Sequence, residues 1–260
     1  MTHVKGKGLD FEGYRAYQPD DDAQYIDWKA SLRAQELLVK VFTEERNVNV
    51  LLVLDTSASM CFSSVDKLKC EYAAEVVANI AFSVIQVGDS AGLLIFNDDI
   101  KFLLEPNQGK KQFYKIIKAL SNPNYYDGGF NFKKVMDYLN SSYKKKGVII
   151  FVSDFIGLPE GWYKDISRLA LKNDIIFIMI RDPRDDEIPE SLSDVLVVDP
   201  YSDEQVIFNC KEIKKDFELV AKEIKENIKM NIKKVGGKVL ELRTDEPFDK
   251  KLIAFFSKKR

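Results

Sequence analysis

The chain has 260 residues, 45% of them hydrophobic and 12% aromatic, which is enough apolar material for a sizeable buried core. Its 39 Lys and Arg residues nearly balance 41 Asp and Glu residues, for a formal net charge of -2. The apolar content excludes intrinsic disorder. The balanced charge argues against nucleic acid or an anionic membrane surface as a partner.

The numbers of histidine and cysteine residues limit the kinds of catalytic and metal site that this chain can form. His3 is the only histidine, which excludes a Ser-His-Asp triad, a Cys-His pair and a two-histidine metal site. Cys61, Cys70 and Cys210 are odd in number and lack CxxC spacing, a pattern typical of reduced intracellular thiols. The apolar runs are far shorter than the roughly 20 residues that span a bilayer, and residues 1–9 lack the apolar core of a signal peptide. We therefore expect a cytoplasmic protein with no membrane span in this chain.

From residue 47 onward, apolar β-rich runs alternate with helical periodicity, which predicts an α/β fold whose mainly parallel sheet carries helices on both faces. Residues 48–54 are apolar on both faces of the pleat and are predicted to form a buried central strand. An apolar stripe over residues 67–87 predicts the following helix. Residues 91–96 and 101–104 flank a short polar link and predict an antiparallel hairpin at an edge.

The rest of the chain continues this alternation. Helices are predicted at residues 113–120, 132–143, 162–171, beyond 212 and from 248, and further strands at 148–152, 175–180, 195–198 and 239–242. Residues 1–46 show little periodicity before 37–42, which alternates like a strand. The predicted organisation is therefore an N-terminal module, residues 1–46, followed by the α/β domain, residues 47–260.

The most informative stretch is the Asp55-x-Ser57-x-Ser59 motif, which follows the predicted central strand and precedes a helix. In an open α/β sheet, ligands bind beyond the carboxyl ends of the strands. One carboxylate and two hydroxyls on a tight loop are hard oxygen donors that suit Mg²⁺ or Mn²⁺. Asp154 ends another predicted strand in the same way. We expect Asp55 and Asp154 to share one cation, provided that the two strand ends meet.

These residues resemble the metal-ion-dependent adhesion site of von Willebrand factor A domains, which combines Asp-x-Ser-x-Ser with a later Thr and a later Asp. The resemblance implies a von Willebrand factor A-like, Rossmann-like fold and a bound Mg²⁺ or Mn²⁺ whose shell is completed by a carboxylate of a partner. By position, the metal ligands that it implies are Asp55, Ser57, Ser59 and Asp154.

The expected Thr has no counterpart in this chain. Phe130 stands in its place, directly after the glycine pair at 128–129. Either Asp127 or Asn131 supplies a substitute oxygen, or the site is weak or vestigial. A motif that lacks one of its members is a hypothesis about metal binding until its structural context is known.

The N-terminal segment resembles the signature of the prokaryotic domain of unknown function fifty-eight family, a von Willebrand A-like group. The likeness rests on residues 8–11, 14–22, 26–31 with Arg33, 38–42 and 44–46, and it continues through 181–185 and 199–200 to Phe255, Phe256 and Arg260. Members are typically encoded beside MoxR-type AAA+ ATPases, so the resemblance implies a partner or adaptor of such an ATPase. Members usually carry more sequence before the first segment, so this chain is a short member or lacks an N-terminal part.

The residues of the N-terminal module support two interpretations. The side chains predicted to dock a partner are Arg15, Trp28, Lys29 and Arg33. They lie among many carboxylates, and such a mixture also favours an internal ion-pair network that holds the segment against a sheet edge. Both interpretations stay open, since one segment is able to do both.

Three functions compete. The first is a non-enzymatic module that presents a metal ion to an acidic side chain of a partner. The second is a metal-dependent phosphohydrolase of the haloacid dehalogenase type, whose site also begins with a strand that ends in Asp. Ser57 argues against it, because that chemistry needs a second acid two residues after the nucleophile. The third is a scaffold with a vestigial metal site, which Phe130 favours.

Overall fold

A computed structural model of the chain describes residues 9–44, 47–189, 194–198, 201 and 204–257. Its contacts divide the chain into two units, Met1–Asn47 and Val48–Arg260. In the first unit, strand β1 (Leu9–Ala16) pairs antiparallel with β2 (Leu38–Glu44), and helix α1 (Trp28–Ala34) lies between them in sequence. The strand predicted at 37–42 is confirmed. Strand β1 was not predicted, because a bulge between Phe11 and Gly13 interrupts its two-residue period.

The second unit is built on a six-stranded sheet in the order β10-β7-β6-β3-β4-β5. Its strands are β3 (Asn49–Asp55), β4 (Ser90–Phe96), β5 (Ile100–Asn107), β6 (Val148–Ser153), β7 (Asp174–Arg181) and β10 (Lys238–Arg243). All neighbours are parallel except the β4–β5 hairpin. The mainly parallel sheet and its antiparallel edge are thus as predicted.

Seven helices of the described residues accompany this unit: α2 (Lys69–Gln86), α3 (Lys110–Leu120), α4 (Phe132–Ser141), α5 (Trp162–Ala170), α6 (Pro183–Asp186), α7 (Cys210–Lys234) and α8 (Asp249–Ser257). The central strand β3 alternates between the two faces of the sheet. Leu52 and Leu54 pack in one cluster with α2, α3 and α8, and Leu51 and Val53 pack in another with α4, α5 and α7. Burial on both faces explains why β3 is apolar throughout.

The strand predicted at residues 195–198 is confirmed, but it does not belong to the six-stranded sheet. Strand β8 (Asp194–Val198) pairs with β9 (Gln205–Asn209) in a separate antiparallel ribbon. All five residues of β9 are exposed. Periodicity predicts that a segment is a strand, but it does not identify the strand's partner.

The strand order predicts where a ligand-binding site lies on this sheet. Counted in chain order within the sheet, the strands run 6-5-4-1-2-3, so the winding direction reverses between β3 and β6. At such a reversal the loops that follow the two strands diverge and leave a crevice at their carboxyl ends. The segments that follow β3 and β6 carry the motif residues picked out from the sequence.

Candidate functional site

Asp55 is the last residue of β3 and lies beside the end of β6. The two strands are parallel neighbours, with Leu54 opposite Val152. The Ser153 hydroxyl donates a 2.6 Å hydrogen bond to Asp55 Oδ2, and the Ser57 N–H donates one of 2.9 Å to Asp55 Oδ1. Because Asp55 is fully buried, these two donors replace the water that a carboxylate otherwise needs.

Two hydroxyls lie next to this carboxylate. Ser57 precedes and Ser59 lies within a 3-10 turn, Ala58–Cys61, and their Oγ atoms are 3.3 Å apart. Both side chains are buried. The Tyr201 hydroxyl donates to Ser57 Oγ over 3.4 Å. The structure therefore brings both serines of the motif together, as the sequence predicts for residues that share a ligand.

The loop that carries the serines is held by the neighbouring segment of the chain. The Thr56 hydroxyl donates to the carbonyl of Tyr125 over 2.6 Å, and the Asp127 N–H donates to the carbonyl of Thr56 over 2.9 Å. The Ala58 N–H donates to the carbonyl of Gly128 over 2.9 Å. These bonds fix the loop backbone without using the serine hydroxyls, whose contacts are with each other and with Tyr201.

Asp154 follows β6 and is also fully buried. Its Oδ1 accepts from the Ile156 N–H over 2.9 Å, and its Oδ2 accepts from Lys69 Nζ over 2.8 Å. Lys69 Nζ also lies 3.0 Å from Asp185 Oδ2. The lysine side chain is 1% exposed, so a buried ammonium joins two carboxylates beside the motif.

Sequence reasoning missed Lys69. A signal was present, because Lys69 precedes the buried Tyr72, Ala73 and Val76 by three, four and seven positions. This spacing places it on the apolar face of α2. A lysine on that face needs a buried partner, since an unpaired charge there is costly.

Burial and charge shift the acidity of this cluster. Burial, and then the charge of Asp154, raise the pKa of Asp55 to about 7. Burial alone would lower the pKa of Lys69, but the charges and hydrogen bonds of Asp154 and Asp185 outweigh it and raise the pKa. Lys69 is thus a fixed positive charge near neutral pH, and Asp55 is the carboxyl that still lacks a cation.

The residues at and beside the position of the expected Thr make contacts that do not involve a metal site. The Phe130 ring packs against Phe96 and Phe132, with ring centroids 5.9 and 6.3 Å apart, and supplies no oxygen. Asn131 caps α4 by accepting from the Lys134 N–H over 3.1 Å. Asp127 is exposed, and its Oδ1 accepts from the following N–H. Both predicted substitute ligands therefore have local structural roles.

The donor set fits a hard cation. Two carboxylates and two hydroxyls offer only oxygen, which is what Mg²⁺ and Mn²⁺ prefer. In the described part of the chain, no group of three or more His, Cys, Asp or Glu side chains is arranged to hold a metal ion. A site here thus depends on the hydroxyls of Ser57 and Ser59, and metal binding stays a prediction.

The predicted docking residues all lie in the first unit. Arg15 forms an ion pair with Asp21. Trp28 opens α1 and is 63% exposed, while Lys29 and Arg33 follow on the same short helix. The helix is anchored by its capping carboxylate at Asp27, which accepts from the backbone N–H groups of residues 29 and 30. This unit combines an internal ion pair with an exposed aromatic side chain, so both interpretations of its charges stay possible.

The doubly wound sheet, with the buried Asp55, Ser57 and Ser59 at its winding reversal, is that of a von Willebrand factor A-like α/β protein. The family model described as "protein of unknown function DUF58" matches residues 13–227. The chain belongs to this family. None of the helices in the described residues is long and apolar enough to cross a membrane.

Known relatives and solved structures are similar to this chain over most of its length. The uncharacterized protein Rv1480 of Mycobacterium tuberculosis is 25% identical over 260 residues, which cover 99% of this chain and 81% of that protein. An aerotolerance-related membrane protein from Bacteroides fragilis covers 75% of this chain and 91% of its own, with 14% identity and a TM-score of 0.50. A von Willebrand factor type A protein from Catenulispora acidiphila covers 55% of this chain and 35% of its own, with 14% identity and a TM-score of 0.40.

Proposed function

We propose that this protein is a non-enzymatic interaction module that binds Mg²⁺ or Mn²⁺ at the ends of β3 and β6 and presents the ion to an acidic side chain of a partner. The observation that carries the proposal is the pair of buried serine hydroxyls, 3.3 Å apart, beside the buried carboxylate of Asp55. Buried hydroxyls that face each other at a winding reversal are suited to a shared ligand.

In this proposal Ser57 and Ser59 hold the ion through their hydroxyls, and Asp55 and Asp154 balance its charge. When bound, the ion supplies a positive centre that a partner carboxylate recognises. The bonds from Thr56 to the carbonyls of neighbouring segments keep the loop in place while the partner engages. Phe130 offers no oxygen, so we expect weaker metal binding than at a site with a complete ligand set.

The same contacts favour a binding role over phosphoryl chemistry. A phosphohydrolase of this type would use Asp55 as its nucleophile, but both oxygens of Asp55 accept hydrogen bonds from the protein. The position two residues later holds the Ser57 hydroxyl, which is too weak an acid to protonate a leaving group.

The partner that we propose is a MoxR-type AAA+ ATPase, contacted through the first unit. The resemblance described above implies this partner, and the exposed Trp28 ring offers a contact for it. Tryptophan and arginine are over-represented among residues that dominate binding energy at interfaces. Trp28 and Arg33 lie five positions apart on one short helix, about 140° around its axis, so they are two separate candidate anchors.

Calorimetric titration with Mn²⁺ and Mg²⁺ tests the metal site. The wild type is expected to bind one ion, and Ser57→Ala is expected to weaken binding at least about tenfold because it removes a ligand oxygen. Ser167→Ala is the matched control, since that hydroxyl bonds only to the Tyr163 carbonyl on α5. Absence of binding to the wild type would rule out metal presentation and favour the vestigial scaffold.

Co-purification with a MoxR-type AAA+ ATPase from the same organism tests the partner. Trp28→Ala and Arg33→Ala are expected to lower the yield of the complex several-fold, because they remove candidate anchors. Lys133→Ala changes an exposed side chain of α4 and serves as the control. An unchanged yield in both docking variants would count against this surface.

A further inference from the structure

The ammonium of Lys69 is the least expected feature of the candidate site. It is the first residue of α2, where the positive end of the helix dipole disfavours a cation. Its side chain is 1% exposed, so water does not offset this cost. Two carboxylates do, with Asp154 Oδ2 at 2.8 Å and Asp185 Oδ2 at 3.0 Å.

Lys69 holds the oxygen that a divalent ion would need. Asp154 Oδ1 accepts from the Ile156 N–H, and Lys69 Nζ occupies Oδ2. Each oxygen of this carboxylate thus already accepts one hydrogen bond and keeps one further lone pair. A second cation beside the same carboxylate meets the repulsion of the ammonium, which a buried setting strengthens.

Asp185 provides a second position for the ammonium. Its Oδ1 and Oδ2 lie 3.2 and 3.0 Å from Lys69 Nζ, so it accepts the charge with both oxygens. The carboxylate is itself held by the Asp182 N–H, which donates to Oδ2 over 2.9 Å at the start of α6. Lys69 is thus able to release Asp154 without losing its last ionic partner.

We propose that Lys69 is a tethered competitor of the divalent ion: metal binding displaces its ammonium from Asp154, and the ammonium is retained by Asp185. This inference rests on the proposed metal site and adds a residue that limits the affinity of the site. It also links occupation of the site to helix α6, which carries Asp185. A purely structural lysine would stay on Asp154 whether or not metal is bound.

Mn²⁺ titration of Lys69→Met tests the competition. The substitution removes the charge and keeps an unbranched side chain, so the variant is expected to bind Mn²⁺ at least about tenfold more tightly than the wild type. Lys67→Met is the matched control, because Lys67 pairs with Glu75 at the surface. Folding of Lys69→Met only in the presence of Mn²⁺ would also support the proposal, whereas equal or weaker binding by a folded variant would overturn it.

Asp185→Asn provides a second readout that does not remove the lysine. In this variant the Lys69 ammonium has no second carboxylate to move to and stays on Asp154. Mn²⁺ binding is therefore expected to weaken at least about threefold. Unchanged or tighter binding in this variant would overturn the proposal, including when Lys69→Met fails to fold.

The two proposals fail in different ways. Binding by Lys69→Met without binding by the wild type would retain the competition and reject metal presentation by the native protein. Binding by the wild type with unchanged affinity in the variants would reject only the competition. Absence of Mn²⁺ binding in the wild type and in every folded variant would reject both the metal site and the competition.

Discussion

The Ser153 hydroxyl donates to Asp55 Oδ2 over 2.6 Å and joins the carboxyl ends of two neighbouring strands. The same Oγ accepts from the Phe155 N–H over 2.9 Å. One serine, absent from the motif, therefore satisfies the buried carboxylate and also fixes the turn that carries Asp154. The candidate site thus depends on contacts between β3 and β6 as much as on the Asp-x-Ser-x-Ser loop.

Ser153→Ala is expected to lower the free energy of unfolding by about 1–3 kcal/mol, because it leaves a buried carboxylate oxygen and a buried N–H without their partner. Urea denaturation measures this difference. Ser167→Ala removes a hydroxyl from the exposed face of α5, and we expect a change within about 0.5 kcal/mol. Equal effects of the two substitutions would contradict the role assigned to Ser153.

Phe130→Thr is expected to tighten Mn²⁺ binding about tenfold if the restored hydroxyl reaches the ion. The same change is expected to lower stability by about 1–3 kcal/mol, because the ring loses its contacts with Phe96 and Phe132. Phe130→Val has the shape of Thr without the hydroxyl and isolates its effect. Identical affinities for the two variants would show that this position does not face the metal.

Gly147→Ala is expected to destabilise the protein by about 3 kcal/mol, measured by urea denaturation. A Cβ at this position would lie 2.0 Å from the backbone oxygen of Asn49, so β3 and β6 would have to separate where they begin. Gly13→Ala is the control, because a Cβ there meets no atom within 4 Å. A small effect at Gly147 would mean that the two strands are less closely joined than described.

Asp27 is expected to titrate near pH 2. The Ala30 N–H and then Lys40 lower the pKa of its carboxyl from 3.8 to about 2. Since the folded-state pKa is the lower one, the carboxylate stabilises the first unit above about pH 4, and this contribution is lost as the pH falls through about 2. Carbon-detected NMR of the carboxyl follows the titration.

Lys40→Met serves as the companion variant for that titration. It removes the ion pair at 3.2 Å but leaves the Ala30 N–H in place, so the midpoint is expected to rise and still stay below 3.8. A wild-type midpoint at 3.8 would show that the carboxylate does not cap α1.

Much of the fold follows from local patterns in the sequence. The burial of β3 on both faces and the apolar stripe of α2 are visible as an apolar run and a helical period. The strand at 195–198 was predicted, but its pairing with β9 in a separate ribbon was not, because strand pairing is a non-local property. Lys69 was missed for a related reason, since its partners Asp154 and Asp185 lie 85 and 116 positions away.

The sequence by itself determined the family, the alternation of strands and helices, and the residue types of the candidate site, because these depend on neighbours along the chain. Only the tertiary structure decided that Ser153 satisfies Asp55 and that Lys69 already holds Asp154. Both contacts exist because the fold places the end of β6 beside the end of β3 and the start of α2 and excludes water there, so that buried charges must be paired.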